Sequence, residues 1–293
     1  MPPSSRLLSV VISMLCGLLT PIAAIADAVP NTKTVRLAVV NTPKFSGLID
    51  ALIKEFEVQS GYSVTVYSGS DVYDRARAGE ADIVISHYGK APVERFVLEG
   101  YGLWPRTVFS NQAAIIGPKS DPAQIRGMTS AAEAFAKIAK ARAPFVANDL
   151  PGIRYLTDIL WEEAGRPEKA GWFLELGVAK GQAVAAAEQR QGYVIFGAYP
   201  FLFRYKKRHN SDMELMVISD PLLQRVMASV VVNAAKVPGV NAEGAIALQD
   251  FLIDAKTQAR ISAFRSPGSN VQLWWPAGRH NSNSKDETET SGE

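Results

Sequence analysis

The sequence predicts an α/β protein built as two lobes, with mostly parallel sheets and a hinged cleft between them. Three observations carry this expectation. Strand-like and helix-like runs alternate from residue 34 to residue 117, the order that folds as a parallel sheet covered by helices. The run 81–87 (ADIVISH) is apolar almost throughout, as expected of a strand buried on both faces. Strand character returns at 215–220 (LMVISD) and 228–233 (ASVVVN) after a middle section of different texture, so the chain leaves a first lobe, builds a second and comes back.

Taken in order, residues 34–40 (TVRLAVV) form the first strand, 41–47 a polar turn, and GLIDALIKEFEVQSGY an amphipathic helix. SVTVYS (63–68) is a second strand, VYDRARAGEA (72–81) a short helix, and ADIVISH a third strand. Residues 92–99 are helical and stop at Gly100, and 110–117 (SNQAAIIG) is a further strand. Residues 130–141 form an alanine-rich helix with Ser130 as N-cap. APFVAND (143–149) is a short strand, 152–164 and 182–191 are helices ended by Gly165 and Gly192, and 193–201 (YVIFGAYPF) is a strand running into a turn. The basic cluster 204–209 reads as a solvated loop. A long closing helix spans 244–264, with Ile246, Leu248, Phe251, Leu252 and Ile261 as its apolar positions. The lobes are then 33–118 with 218–265, and 119–217. Residues 266–280 are a C-terminal extension held on a lobe by Trp274 and Trp275. The acidic segment 281–293 has no apolar residue and is expected to be disordered.

At the N-terminus, Arg6 precedes an apolar run ending in Ala24-Ile25-Ala26, which predicts a signal peptide over 1–26 and export to the periplasm. Thr20 and Pro21 weaken the same run as a membrane anchor. Its Cys16 is the sole cysteine, so the mature chain has no disulfide, thiolate metal site or cysteine nucleophile. A formal charge of +2 is too small to indicate nucleic acid or an anionic membrane as partner. The mature protein is expected to be a monomer that does not insert in a membrane.

The polar turn after the first strand is the first functional signal. Ligands of open α/β sheets bind beyond the carboxyl ends of strands, beside helix N-termini, where unpaired N–H groups favour an anion. Asn41, Thr42, Lys44 and Ser46 lie there, Ser68 and Ser70 follow the second strand, and Ser86 and His87 end the third. Each of the small polar residues alone is also an ordinary helix cap. Their recurrence at three strand ends favours a small-molecule or oxyanion site. The sequence contains no HExxH, GxSxG, Walker or GxGxxG motif, so neither an enzyme nor a cofactor is expected.

The runs SGLIDALIKEFEVQSGYSVTV, RARAGEADIVISHYGKAPVERFVLEGYG, NQAAIIGPKSDPAQIRG and APFVAND, in that order between Leu37 and Phe264, are similar to the tungstate-binding family of exported ABC-transporter receptors. The resemblance implies a periplasmic-binding-protein fold and an ABC permease as partner. It also implies altered specificity. The family's Thr-Thr-Thr-Ser turn corresponds here to Val39-Val40-Asn41-Thr42, its Ser-Arg-Gly-Asp segment to the stretch from Ala147 to Ile153, and its Asp-Arg pair to Gly197-Ala198. Asn148 stands in that altered segment, and Arg154, just beyond it, could replace the missing arginine. Phe45, Tyr88 and Tyr199 are candidate walls for a ligand larger or more organic than tungstate. The alternative reading is an envelope interaction module that keeps the fold and binds no solute.

Overall fold

The computed structural model describes residues 33–277; the expected signal peptide and the acidic tail lie outside them. Strand β1 (Thr34–Val39) leads through α1 (Asn41–Phe45) into α2 (Leu48–Ser60), then β2 (Ser63–Ser68), α3 (Val72–Arg77), β3 (Ile83–His87) and α4 (Ala91–Leu98). The thirteen-residue β4 (Arg106–Pro118) follows, then α5 (Ala131–Ala141), β5 (Phe145–Val146), α6 (Pro151–Glu163), β6 (Phe173–Leu174), α7 (Gly181–Gln189) and β7 (Tyr193–Gly197). Short helices α8 (Ala198–Pro200) and α9 (Lys207–His209) flank a π-helical turn, Phe201–Lys206. The chain ends with β8 (Met213–Val217), β9 (Gln224–Val231), α10 (Ala242–Ile253), α11 (Ala255–Ala263) and β10 (Trp274–Pro276).

The strands run in the order β2-β1-β3-β9-β4-β7-β5-β6. The expected parallel pairing holds for β1 with β2 and β3, and for β5 with β6 and β7. Every antiparallel pair includes β4 or β9. β4 pairs with β9 from Arg106 to Gln112 and with β7 from Ala113 onward. Its partner thus changes between Gln112 and Ala113.

Alternation along the strands sorts the core. On one face of the first half, Val35 and Leu37 meet Leu48, Leu52 and Phe56 of α2 and Leu248 and Leu252 of α10. On the other face, Ala38, Val84 and Val230 meet Val72 and Ala76 of α3 and Val93 and Phe96 of α4. The second half repeats the plan, with Ile115, Ile195 and Phe145 against Phe135 and Ile138 of α5 and Ile153 and Leu160 of α6. Both faces of the central strands are therefore covered, as the apolar runs require.

Some expectations needed correction. The polar stretch 41–47 contains a turn and a half of helix, because a proline is tolerated in a first helical turn and Pro43 there is buried. The closing helix breaks at Asp254, whose side chain accepts from the Lys256 N–H at 2.9 Å and starts α11, and Ile246 on α10 is exposed. The basic cluster 204–209 is helical rather than a loop. The extension docks as β10, antiparallel to β4 in the register Trp274↔Asn111, with Trp274 fully buried.

Candidate functional site

The three strand ends expected to carry ligand do come together. Val39 is in register with Ser68 on one side and with Ile85 on the other, and the Gly69 and Val40 N–H groups close the ends at 3.1 Å on Val39 O and Ile85 O. Asn41 and Ser70 are exposed there, and Thr42 and Ser68 are partly buried.

Several of the other candidates already have partners within the protein. The Ser46 hydroxyl donates to Pro43 O at 2.9 Å and is buried, and Ser86 bonds the Tyr73 hydroxyl at 2.6 Å. Lys44 is paired with Asp50 of α2. Asn148, fully buried, donates to Ile195 O at 3.1 Å and accepts from the Leu150 and Lys180 N–H groups at 3.2 and 2.9 Å, so it ties the β5–α6 turn to the start of α7. Arg154 faces Asp149 at 3.2 Å, Asp158 at 3.6 Å and Glu175. Lys44 and Arg154, expected as ligand cations, are therefore surface ion pairs. Among the candidate walls, the Tyr199 hydroxyl donates to Phe45 O and its ring stacks on Phe203 at 4.8 Å, joining the start of the chain to the α8 region.

An open cavity of about 740 Å³ leads from one of these strand ends, between the end of β3, the start of β9 and the first turn of α6; its lining includes His87, Tyr88, Lys90, Gly152, Tyr155 and Arg225. Arg225 enters it because β9 pairs with β4 in the register Asn111↔Arg225. Its guanidinium lies against Gly152: a Cβ on that glycine would sit 2.3 Å from Nη2. Glycine at the second residue of α6 therefore leaves room for the cation at a helix N-terminus.

Among the described residues no carboxylate or carbonyl pairs with the Arg225 side chain. Burial lowers its pKa to about 10, still well above neutrality. Burial, and then the charge of Arg225, lowers Lys90. His87 is held well below its usual value by burial first and by Arg225 and Lys90 next, with Asn111 pulling weakly the other way, so it is neutral at neutral pH. The buried His87 Nε2 has no hydrogen-bond partner among the described residues other than the nearby Asn111 side chain. Arg225 and Lys90 are half-buried and no carboxylate among the described residues pairs with either, so the cavity carries uncompensated positive charge.

Of the nine residues picked from the sequence, His87 lines this cavity. Lys90 and Arg225, which also line it, were not among the nine. A lone arginine inside the apolar run from Leu222 to Val232 was the available signal for Arg225. A second cavity, about 1050 Å³, lies at the carboxyl ends of β5 and β7 and is lined by Lys180, Arg204, Lys207, Arg208 and Phe203 among others. Its cations Arg204, Lys207 and Arg208 are exposed to solvent, which dissipates their field.

Residues 37–264 match the family described as bacterial extracellular solute-binding protein. The chain belongs to that family. A putative ABC transporter anion-binding protein of Haloferax volcanii is 34% identical over 255 residues, covering 84% of this chain and 72% of its own length. A tungstate-binding protein, TupA, of Peptoclostridium acidaminophilum is 27% identical over 245 residues, covering 82% of this chain and 84% of its own. The solved tungstate-binding protein TupA of Desulfovibrio alaskensis superposes with a TM-score of 0.70 at 25% identity, over 83% of this chain and 98% of its own. As a member of a solute-binding family, the chain has the fold expected from its sequence. No helix among the described residues is long and apolar enough to cross a membrane.

Proposed function

We propose that this protein is an exported, monomeric receptor that captures a small anion in the cleft holding Arg225 and presents it to an ABC permease. The observation that carries the reading is the unpaired Arg225 guanidinium in a cavity shared by β9 and the start of α6. The names of the relatives, anion-binding and tungstate-binding, agree in ligand charge. The signal peptide read from residues 1–26 and periplasmic localisation belong to the same proposal, as does the absence of catalysis.

Two chain passages would act as the hinge between the lobes, the β4 step at Gln112–Ala113 and the return from Ile218 to Gln224. The Gln112 amide ties them together, donating to Ile218 O and to Asp220 O at 3.3 Å, while Ser110 bonds Gln224 at 3.1 Å. The lobes would then be 33–112 with 224–277, and 113–217. Few residues absorb the change in such a closure.

The test is a melting-temperature and calorimetric screen of the mature chain against tungstate, molybdate, sulfate, phosphate and small carboxylates, with neutral sugars as controls. At least one anion is expected to bind in the micromolar range or tighter. At about 100 times its Kd it should add about 2.7 kcal/mol of stability. A response to neutral sugars alone would contradict anion capture, and a screen with no response would favour the envelope interaction module.

A further inference from the structure

Resting on that reading of the cleft, we infer that its ligand is an organic carboxylate with an aromatic or alicyclic body, not a four-oxygen dianion.

The donor count comes first. A desolvated tetrahedral dianion needs donors on four oxygens and opposing charge on several sides. The cavity lining contains no serine or threonine. The hydroxyls of Ser46 and Ser86 are bonded elsewhere. Both helix N-termini at the cavity are poor in donors. In α6, Pro151 has no N–H, and the Ile153 and Arg154 N–H groups already bond Leu150 O at 2.7 and 2.9 Å. In α4, Pro92 has no N–H, and the Val93 and Glu94 N–H groups bond Lys90 O at 3.0 and 3.2 Å. The first turns therefore contribute only the Gly152 and Ala91 N–H groups. Besides these, the lining offers the Gln224 amide and the hydroxyls of Tyr88 and Tyr155, but its only full positive charges are the planar Arg225 guanidinium fork and Lys90 beside it. A fork matches the two coplanar oxygens of a carboxylate.

The rest of the lining points the same way. Pro92, Pro151, Leu156 and Val226 supply apolar surface, and the rings of Tyr88 and Tyr155, which are 54% and 66% exposed, face the same cavity. Those two rings come from opposite sides of it, one from the β3–α4 turn and one from α6. Exposed rings at a cavity mouth offer large apolar contact area to a ligand body. The volume of the open cleft, about 740 Å³, falls in the range of pockets for organic molecules. His87, kept neutral with no partner for its Nε2 but the Asn111 side chain, gives one further polar contact on the floor.

Calorimetry of the mature chain at low salt with benzoate, cinnamate, benzamide, acetate, sulfate and tungstate tests the inference. Benzoate or cinnamate is expected to bind at least about tenfold tighter than sulfate or tungstate, and benzamide, which lacks the charge, about tenfold more weakly. Tyr155→Ala should weaken the aromatic carboxylate about fivefold or more and leave acetate within about twofold. Tungstate or sulfate binding as tightly as, or tighter than, every carboxylate would overturn this inference and leave anion capture standing. A panel in which no anion binds would overturn both.

Discussion

Replacing Asp82 by alanine is expected to lower the unfolding free energy by about 3–5 kcal/mol, the range for stripping one partner from a buried ion pair. Asp82 is fully buried and holds three separate parts of the chain. Its Oδ2 accepts from the Arg36 N–H at 2.7 Å and from Arg36 Nε at 3.1 Å, and its Oδ1 meets Arg36 Nη2 at 2.5 Å. The same Oδ1 accepts from the Asn241 N–H at 2.8 Å, which fixes the entry to α10. Its backbone N–H bonds Arg36 O at 2.8 Å, and its carbonyl accepts from Val232 at 2.9 Å. Alanine would strip the Arg36 guanidinium of its counter-ion, leaving it on Gly79 O and Gly239 O, and would take the carboxylate acceptor from the Arg36 and Asn241 backbone N–H groups. Urea unfolding should show a lower midpoint at unchanged slope. A loss below about 1 kcal/mol would mean that water replaces the carboxylate there, contrary to its burial.

Trp274→Ala is expected to cost about 3–5 kcal/mol, the range for deleting a buried aromatic side chain. The indole is fully buried, meeting Phe109 edge-on at 5.3 Å and 90°. Around it Ala277 N–H donates to Gln258 Oε1 at 3.0 Å, and Thr107 donates to Ala277 O at 2.6 Å. The extension therefore serves as a clamp on β4. Its partner strand carries Asn111, whose opposite neighbour is Arg225. Losing the clamp should therefore loosen the β4–β9 region as well as lower stability, which faster amide exchange at Ser110–Gln112 would report. Unchanged unfolding and exchange would show that the extension is only draped on the sheet.

The fold was legible in the sequence because its strands are locally unambiguous. ADIVISH has one reading at its length and apolarity, and the adjoining helices are punctuated by Gly61, Gly100 and Gly165. The misses have local causes. Asp254 was hidden inside a helical periodicity, and its capping role depends on a backbone turn (ψ 141°) that periodicity does not encode. β6 pairs with β5 over two residues, too few to stand out in any pattern.

The site was less legible. The polar strand ends were found, since position in a β-α unit is written in sequence order. Whether Lys44 and Arg154 were available to a ligand was not, because Asp50, Asp158 and Glu175 become their counter-ions only once the helices are packed. Arg225 is the converse case. Its cation is unpaired because β9 sets it across from Gly152 of a helix about seventy residues earlier, a juxtaposition that only tertiary structure creates.

The most direct test of anion capture at Arg225 is a low-salt calorimetric titration of wild type and Arg225→Met with whichever anion of the screen binds wild type best. Loss of the Arg225 guanidinium should weaken that anion about 100-fold, roughly 2.7 kcal/mol. The melting temperature without ligand should stay about the same or rise slightly, because a half-buried charge with no counter-ion has been removed. An Arg225→Met protein that binds the anion as tightly as wild type would contradict the account.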